Sequence, residues 1–294
     1  MEDELFAQVY ALLAEEGKKR PRRGRKQYRD VLILAVYFWA VVHDRPTSWA
    51  CQRKHWPARW HWMDLPSQPT MSRRLRSLAV VQLLMAVMER LRQVHLPGTP
   101  ADPLAHRLDS RPLVVGGFSK DREARRGYAT GGTARGYKSF ELCGTAVVPD
   151  QLLLGALKLA DALGAAELLQ RSVCHGYVLA DATHDINDLH ALARSQGVQL
   201  LTPRKVPGSG LGHCRHDPGR LRSIALLEDP SDFGRELFRL REPIERHFGN
   251  CSSFGGGLQP LPSWVRTPQR VVRWVWAKVI LNGLRICINK ALAA

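Results

Sequence analysis

Little in the chain suits an oxidising or lipid environment. Its six cysteines, Cys51, Cys143, Cys174, Cys214, Cys251 and Cys287, are scattered and form no Cys-x-x-Cys pair, so neither a disulfide framework nor a zinc ribbon organises the fold. The strongest apolar run, Val31 to Val42, has 12 residues. A membrane-spanning helix needs ~20, so this run reads as a buried helix. The acidic start, Met1-Glu2-Asp3-Glu4, lacks the apolar stretch of a signal peptide. The expectation is a soluble, cytoplasmic protein with no membrane partner. There is no Gly-x-Ser-x-Gly elbow to support a serine hydrolase, and no internal repeat. Acidic residues are also scarce, 27 Asp+Glu against 43 Lys+Arg, which leaves a net charge of +16.

What is present is ordinary globular material, 45% hydrophobic and 24% charged, which excludes a disordered or collagen-like chain. The length of 294 residues fits one large domain or two smaller ones. The positive surplus attracts polyanions over long range, and it is not a basic tail. Residues 1–100 hold 17 basic and 9 acidic side chains, and residues 101–294 hold 26 and 18. Both halves therefore carry the same excess, and both are expected to meet the polyanion.

Helical periodicity runs through residues 4–15. Seven basic residues follow between positions 18 and 26: Lys18, Lys19, Arg20, Arg22, Arg23, Arg25 and Lys26. Pro21 and Gly24 make this a loop or arm. Helices are expected at about 28–43 and 45–55, and another from Thr70 to about 95, with Thr70 as its cap. Residues 95–100 read as a linker. Beyond it come strand signals at 104–109, 112–115, 138–148, 151–159, 177–181 and 198–202, helices at 161–171 and 185–196, and helices again within 232–252 and 268–291. That succession is α/β with a mixed sheet.

Two carboxylates close predicted strands, Asp109 after HRL and Asp181 after YVLA, and Glu245 lies in the helical stretch LFRLREPIERHFG. Ends of strands are where open α/β sheets place their sites. Three carboxylates brought together repel one another unless cations join them, and hard oxygen ligands suit Mg²⁺ or Mn²⁺. A pair of such ions suits phosphodiester displacement.

The segments HRLDSRPLVV (106–115), RGYKSFELCG (135–144), YVLADATHDINDLHALARSQGVQLLTPRK (177–205) and REPIERHFG (241–249) together resemble the DDE transposases of bacterial insertion sequences. The resemblance spans about residues 104–291. It implies an RNase H-like catalytic core in which Asp109, Asp181 and Glu245 hold two Mg²⁺ or Mn²⁺ ions, with Arg241 beside Glu245. It also implies cleavage and 3′-hydroxyl strand transfer on double-stranded DNA, a homodimer that pairs two transposon ends, and a place at the bacterial nucleoid. The family's glutamate block, Y-x2-R-x3-E-x6-K, falls here on Phe238, Arg241, Glu245 and Ser252, so its tyrosine hydroxyl and its lysine are missing. Pro243 favours a helix start near 243, with Arg241 reaching the site from the preceding turn. After Asp181, His184 stands near the place of the family's aromatic residue. Asp185 and Asp188 are competing carboxylates in a helix cap and first turn.

The fold class expected is α/β, an RNase H-like mixed sheet flanked by helices and preceded by a small all-helical, helix-turn-helix-like domain. The boundaries are 1–98 for the helical DNA-binding domain and 99–294 for the catalytic domain with its C-terminal helix. In the first, Thr70, Ser72, Arg73 and Arg74 stand at the start of a candidate recognition helix. In the second, Arg125, Arg126, Arg135 and Lys138 belong to a basic loop facing DNA phosphates, with Lys120 and Arg122. Gly131 to Ser139 misses a P-loop because Tyr137 breaks the spacing. The adjacent residues His213, Cys214, Arg215 and His216 lack metal-ligand spacing. Trp60 and Trp62 flank His61 and could stack on a base. The basic helix at 267–292 is expected to pack on the sheet with Arg270, Arg273 and Lys278 outward. A non-catalytic DNA-binding protein descended from a transposase, or a plain nuclease on the same fold, are the alternatives.

Overall fold

The computed structural model describes residues 2–20, 27–96, 98–208, 210–213, 215–253, 258 and 260–291. In chain order the elements are α1 (Glu2–Lys18), α2 (Asp30–Val42), α3 (Thr47–Ala50), α4 (Gln68–Arg74), α5 (Leu78–Arg92), β1 (Ala105–Val114), β2 (Arg125–Ala129), β3 (Gly132–Cys143), β4 (Gln151–Ala156), α6 (Asp161–Arg171), β5 (Gly176–Leu179), α7 (Asn187–Ser195), β6 (Val198–Leu201), α8 (Pro218–Glu228), α9 (Phe233–Arg239), α10 (Glu242–Ser253) and α11 (Pro268–Ala291). The chain is thus mixed α/β. Among the described residues no helix is long and apolar enough to cross a membrane.

The chain divides into two compact units. One comprises residues 1–94, 251–257 and 264–294, and the other residues 95–250 and 258–263. The boundaries therefore depart from the expected 1–98 and 99–294. The physical reason is α11, which packs on α1, α2 and α5 instead of on the sheet.

In the first unit the apolar run forms α2 and is buried on every side from Ile33 to Val42, because α1, α3, α5 and α11 surround it. Phe6, Trp39, Trp56 and Trp60 form an aromatic cluster beside it, with ring centroids 4.9–5.5 Å from Phe6. Trp62 stays exposed. The helix expected from Thr70 to 95 is broken in two. Ser67 stands at the N-cap of α4 and Ser77 at the N-cap of α5, and the chain turns between them. Two basic residues of α11 are not outward. Arg273 donates to the Leu75 carbonyl at 2.5 Å, and Lys278 pairs with Asp44 at 2.5 Å with 1% of its side chain exposed.

The second unit is built on one six-stranded mixed sheet in the order β2-β3-β1-β5-β6, with β4 also paired to β3. β1 is antiparallel to β3 and parallel to β5, which is parallel to β6. Pro112 lies inside β1 without breaking it. The amide of Val115 donates to Arg135, so the ladder alternation puts the nitrogen of Pro112 on the side away from β3. β5 pairs with β1 only from Ala105 to Arg107, so no ladder bond to β5 is lost there. Leu108, Phe140, Leu142, Val178 and Leu200 form the core with Leu168 and Leu189 of α6 and α7. A smaller cluster of Leu179, Leu201 and Leu237 takes in Tyr177, Leu226 and Phe238.

The buried Lys278–Asp44 pair makes a direct test. Burial pushes the Lys278 pKa down and the Asp44 pKa up, and the hydrogen bond and charge between them oppose both shifts without cancelling them. Lys278→Ala leaves a carboxylate without its ammonium partner, and an expected loss of about 3–5 kcal/mol follows. Urea unfolding measures it. The double replacement Lys278→Met with Asp44→Asn is expected to lose much less, and equal losses would show that the pair is not the cause.

Candidate active site

The central pairing of the sheet brings two acids together. Asp109 on β1 stands directly opposite Glu141 on β3, and residues opposite one another project to the same face. Glu141 is buried. It accepts from Ser139 Oγ at 2.9 Å and from His247 Nε2 at 2.9 Å. Asp109 accepts from the Ser110 amide at 2.8 Å and from Arg241 Nη2 at 2.7 Å. The other amino group of Arg241, Nη1, donates to Glu245 Oε1 at 2.9 Å. One guanidinium therefore joins two of the three expected carboxylates.

Local sequence explains how Arg241 arrives. Pro243 sits in the first turn of α10, which begins at Glu242, and Arg241 occupies the turn before it, its amide bonded to the Phe238 carbonyl. Phe238 packs against the Leu179 and Leu201 cluster. Arg111 donates to the Phe248 carbonyl and lies 5.8 Å from the Phe248 ring centroid. It thereby fixes α10 further along. Ser252 is in α10, but its side chain lies outside the described residues.

Asp181 follows β5 directly and caps the short 3-10 turn Ala182–His184. It accepts from the Thr183 amide at 3.0 Å, from the Thr183 hydroxyl, and from His184 Nδ1 at 2.7 Å. The His184 ring is fully buried, so it fixes the carboxylate's orientation.

The two aspartates titrate in opposite senses. Burial pushes Asp109 up to about 6. Arg241 and the Ser110 amide oppose the shift, and the Asp181 charge adds to it. Burial acts upward on Asp181 too, but the hydrogen bonds from His184 and Thr183 outweigh it and hold that carboxyl at about 2. Asp181 is thus close enough for its charge to be felt at Asp109.

The competing carboxylates are otherwise occupied. Asp185 is buried and takes a two-pronged contact from Arg220 at 2.7 and 2.8 Å, with the Lys205 amide at 3.1 Å. Asp188 is exposed in the first turn of α7.

Asp109, Asp181 and Glu245 present hard oxygen donors of the kind that suits Mg²⁺ or Mn²⁺. The raised carboxyl of Asp109 is what a nearby cation would relieve. Glu141, Cys143 and His247 form a separate donor group, with ligand atoms within 4.8 Å of one another. Its sulfur, nitrogen and oxygen donors are of the kind zinc takes, not magnesium.

The basic residues expected to meet a polyanion fall into two groups. Arg73, Lys18, Arg125, Arg126 and Arg135 are exposed, and Thr70 and Ser72 are half-buried. Others are tied down. Arg74 pairs with Asp30 at 2.5 Å and with the Tyr28 carbonyl at 2.9 Å. Lys19 bonds Glu16 at 2.6 Å, and Arg20 bonds the Gln82 carbonyl at 2.7 Å. Lys138 pairs with Asp161 at 3.1 Å and with the Leu159 carbonyl at 3.1 Å. Arg22, Arg23, Arg25 and Lys26 lie outside the described residues. In the helical unit, Gln68, Ser72, Arg76, Arg270 and Arg273 line a cavity of about 220 Å³ with Tyr37.

Sequence reasoning missed Glu141 and His247. The only signal was a carboxylate placed in an otherwise apolar strand, FELC. The serine of the Asp109-Ser110 motif points the other way and donates to Asp161 at the start of α6.

Comparison with protein-family models, with curated proteins and with solved structures finds no match in any of the three.

The shift at Asp109 has a sign that can be checked. Its folded pKa is above the ordinary 3.8. Between these values the folded chain holds a proton that the unfolded chain releases. This stabilisation is complete below about 3.8 and is lost as pH rises through about 6. Two units amount to about 3 kcal/mol. In metal-free buffer, the stability difference between wild type and Asp109→Asn is expected to change by up to that amount between pH 4 and 7, read by urea unfolding. A difference that stays flat with pH would overturn the assignment.

Proposed function

We infer that the protein is a metal-dependent DNA-cleaving and strand-transferring enzyme, a transposase of the DDE type with an RNase H-like core. One observation carries the reading. Asp109 in the central strand, Asp181 directly after the parallel neighbour β5, and Glu245 on α10 are linked through Arg241 and through mutual charge. The sheet supports it. An antiparallel β4-β3-β1 set continued by parallel β5 and β6 is the strand arrangement that the RNase H-like reading calls for.

Asp109, Asp181 and Glu245 would hold the divalent ions. When bound, magnesium or manganese activates the attacking oxygen and stabilises the leaving oxygen of a phosphodiester. The chain's own residues prepare the site. His184 and Thr183 keep Asp181 ionised and aimed. Arg241 neutralises Asp109 and Glu245 while no cation does so, and it is placed to turn to a DNA phosphate when one arrives. Glu245, with 66% of its side chain exposed, is the carboxylate that can move most easily. The exposed basic residues of both units supply the phosphate contacts, and a homodimer would hold two DNA ends.

The arrangement of Arg241 also favours a second reading, a DNA-binding protein without catalysis, in which the guanidinium permanently replaces the cations. One experiment separates the readings. Wild type and the Asp109→Ala, Asp181→Ala and Glu245→Ala proteins are incubated with Mg²⁺ and duplex DNA taken from either side of the encoding gene. Loss of cleavage by at least about 100-fold in each variant is expected, as for removal of a main electrostatic group. Full activity in any one variant removes that residue from the mechanism. Salt-dependent binding without cleavage by wild type points to the second reading. Cleavage without joining of a 3′-hydroxyl points to a plain nuclease.

A further inference from the structure

We propose that the β2–β3 hairpin is a DNA-binding ribbon whose outward face, Arg126, Tyr128, Thr133 and Arg135, lies along duplex DNA beyond the carboxylate site. The proposal rests on the reading that the substrate is DNA.

The register separates the two faces of the ribbon. Arg126 stands opposite Arg135, Tyr128 opposite Thr133, and Gly127 opposite Ala134. Side chains alternate along each strand, so Arg126, Tyr128, Thr133 and Arg135 share one face, and all four are exposed. The other face carries Gly127, Ala129, Ala134 and Gly136, with Arg125 at its end opposite Gly136. The two glycines are required there. A Cβ on Gly127 would lie 2.6 Å from the Leu157 carbonyl carbon, and one on Gly136 would lie 2.2 Å from the Leu113 oxygen. The hairpin is therefore pressed onto the unit's own backbone by its glycine face, which turns the four larger side chains to solvent.

Two features of the outward face are not accounted for by contacts within the fold. Arg126 and Arg135 are directly opposite like charges, an arrangement that destabilises a sheet unless an anion lies between them. Arg135 reaches the Asp121 backbone carbonyl, and among the described residues neither guanidinium forms an ion pair with a carboxylate. Charges alone could serve to block pairing at the sheet edge, where β2 lies. An aromatic ring left 85% exposed at Tyr128 does the opposite of blocking, since it offers apolar surface to any partner. A guanidinium pair beside a flat aromatic suits phosphates next to sugar and base surface. A two-stranded ribbon is also a shape that the major groove admits.

The distance fits a duplex that continues past the carboxylates. Glu141, the partner of Asp109, lies eight residue steps along β3 from Thr133. At ~3.3 Å per residue this is up to ~26 Å, or about eight base pairs at ~3.4 Å each. The hairpin would touch DNA up to about eight base pairs from the phosphate that is cut.

The test uses the full chain with Arg126→Ala, Tyr128→Ala and Tyr128→Phe. Binding to a fluorescently labelled duplex is followed by anisotropy across a salt series. Arg126→Ala is expected to weaken binding and to reduce the slope of log K against log salt by about one. Tyr128→Ala is expected to weaken binding about tenfold with the slope unchanged, and Tyr128→Phe to bind like wild type. Hydroxyl-radical footprints give a second reading, since protection about eight base pairs from the cut should fade in Tyr128→Ala. Both side chains are exposed, so thermal unfolding is expected to be unchanged. Wild-type affinity, slope and footprint in the Arg126→Ala and Tyr128→Ala proteins would overturn the ribbon, while cleavage that still needs Asp109 would leave the enzymatic reading standing. Wild type that neither binds nor cuts DNA removes both.

Discussion

Placing Asp109 directly opposite Glu141 puts two carboxyl groups on one face of the central strand pair, with Cα atoms about 5.5 Å apart in a hydrogen-bonded pair. Two such groups in a dry setting need positive or donating neighbours. The neighbours come from one short stretch of chain: Arg241 meets Asp109, and His247 meets Glu141. Arg111, two residues along β1, anchors the Phe248 carbonyl of the same stretch. The position of α10 is thus dictated by the acids beneath it. Glu245 is one helical turn from Arg241, and its place beside the site follows from that docking.

The electrostatics also divide the two aspartates. Asp181 is satisfied by donors from its own turn, so it stays charged at any ordinary pH. Asp109 relies on one guanidinium that is shared with Glu245, and burial still wins, leaving its carboxyl near 6. A site so arranged holds one fixed negative charge and one that responds to what approaches. A cation would favour the charged form of Asp109, whereas withdrawing Arg241 without a replacement would favour the neutral form. Arg241 therefore holds the carboxylates together in the free protein, and under the proposed reading it would have to yield for cations to share them.

Much of this could be read from residue order, because the information was local. The buried α2, a strand reaching Asp109, Asp181 at the end of another, and a helix start near Pro243 that leaves Arg241 in the preceding turn all follow from short patterns, although Asp109 lies in the middle of β1 instead of closing its strand as expected. What could not be read depends on long-range partners. Which residue of β3 faces Asp109 is fixed by register, so Glu141 and His247 gave no joint signal across 106 positions of separation. The helix at 268–291 has an amphipathic pattern that any apolar surface would satisfy, and pattern alone does not choose between a sheet and α1, α2 and α5. The break between α4 and α5 was hidden because MSRRLRSLAV holds neither glycine nor proline.

The same limit applies to charge. A surplus of +16 sets the long-range field of the whole chain, and paired and unpaired residues contribute to it alike. Contact is another matter. Arg74, Lys138, Arg220, Arg241 and Lys278 each hold a carboxylate of this chain. All five would have to break a buried or half-buried pair to reach a phosphate, which makes them poor first contacts. Among the described residues Arg126 and Arg135 have no ion pair to break, and their mutual repulsion falls when an anion comes between them. The attraction is therefore spread over the chain, while the paired residues are poorly placed to act on it. The hairpin stands out because there the protein's own stability and the approach of a polyanion favour the same arrangement.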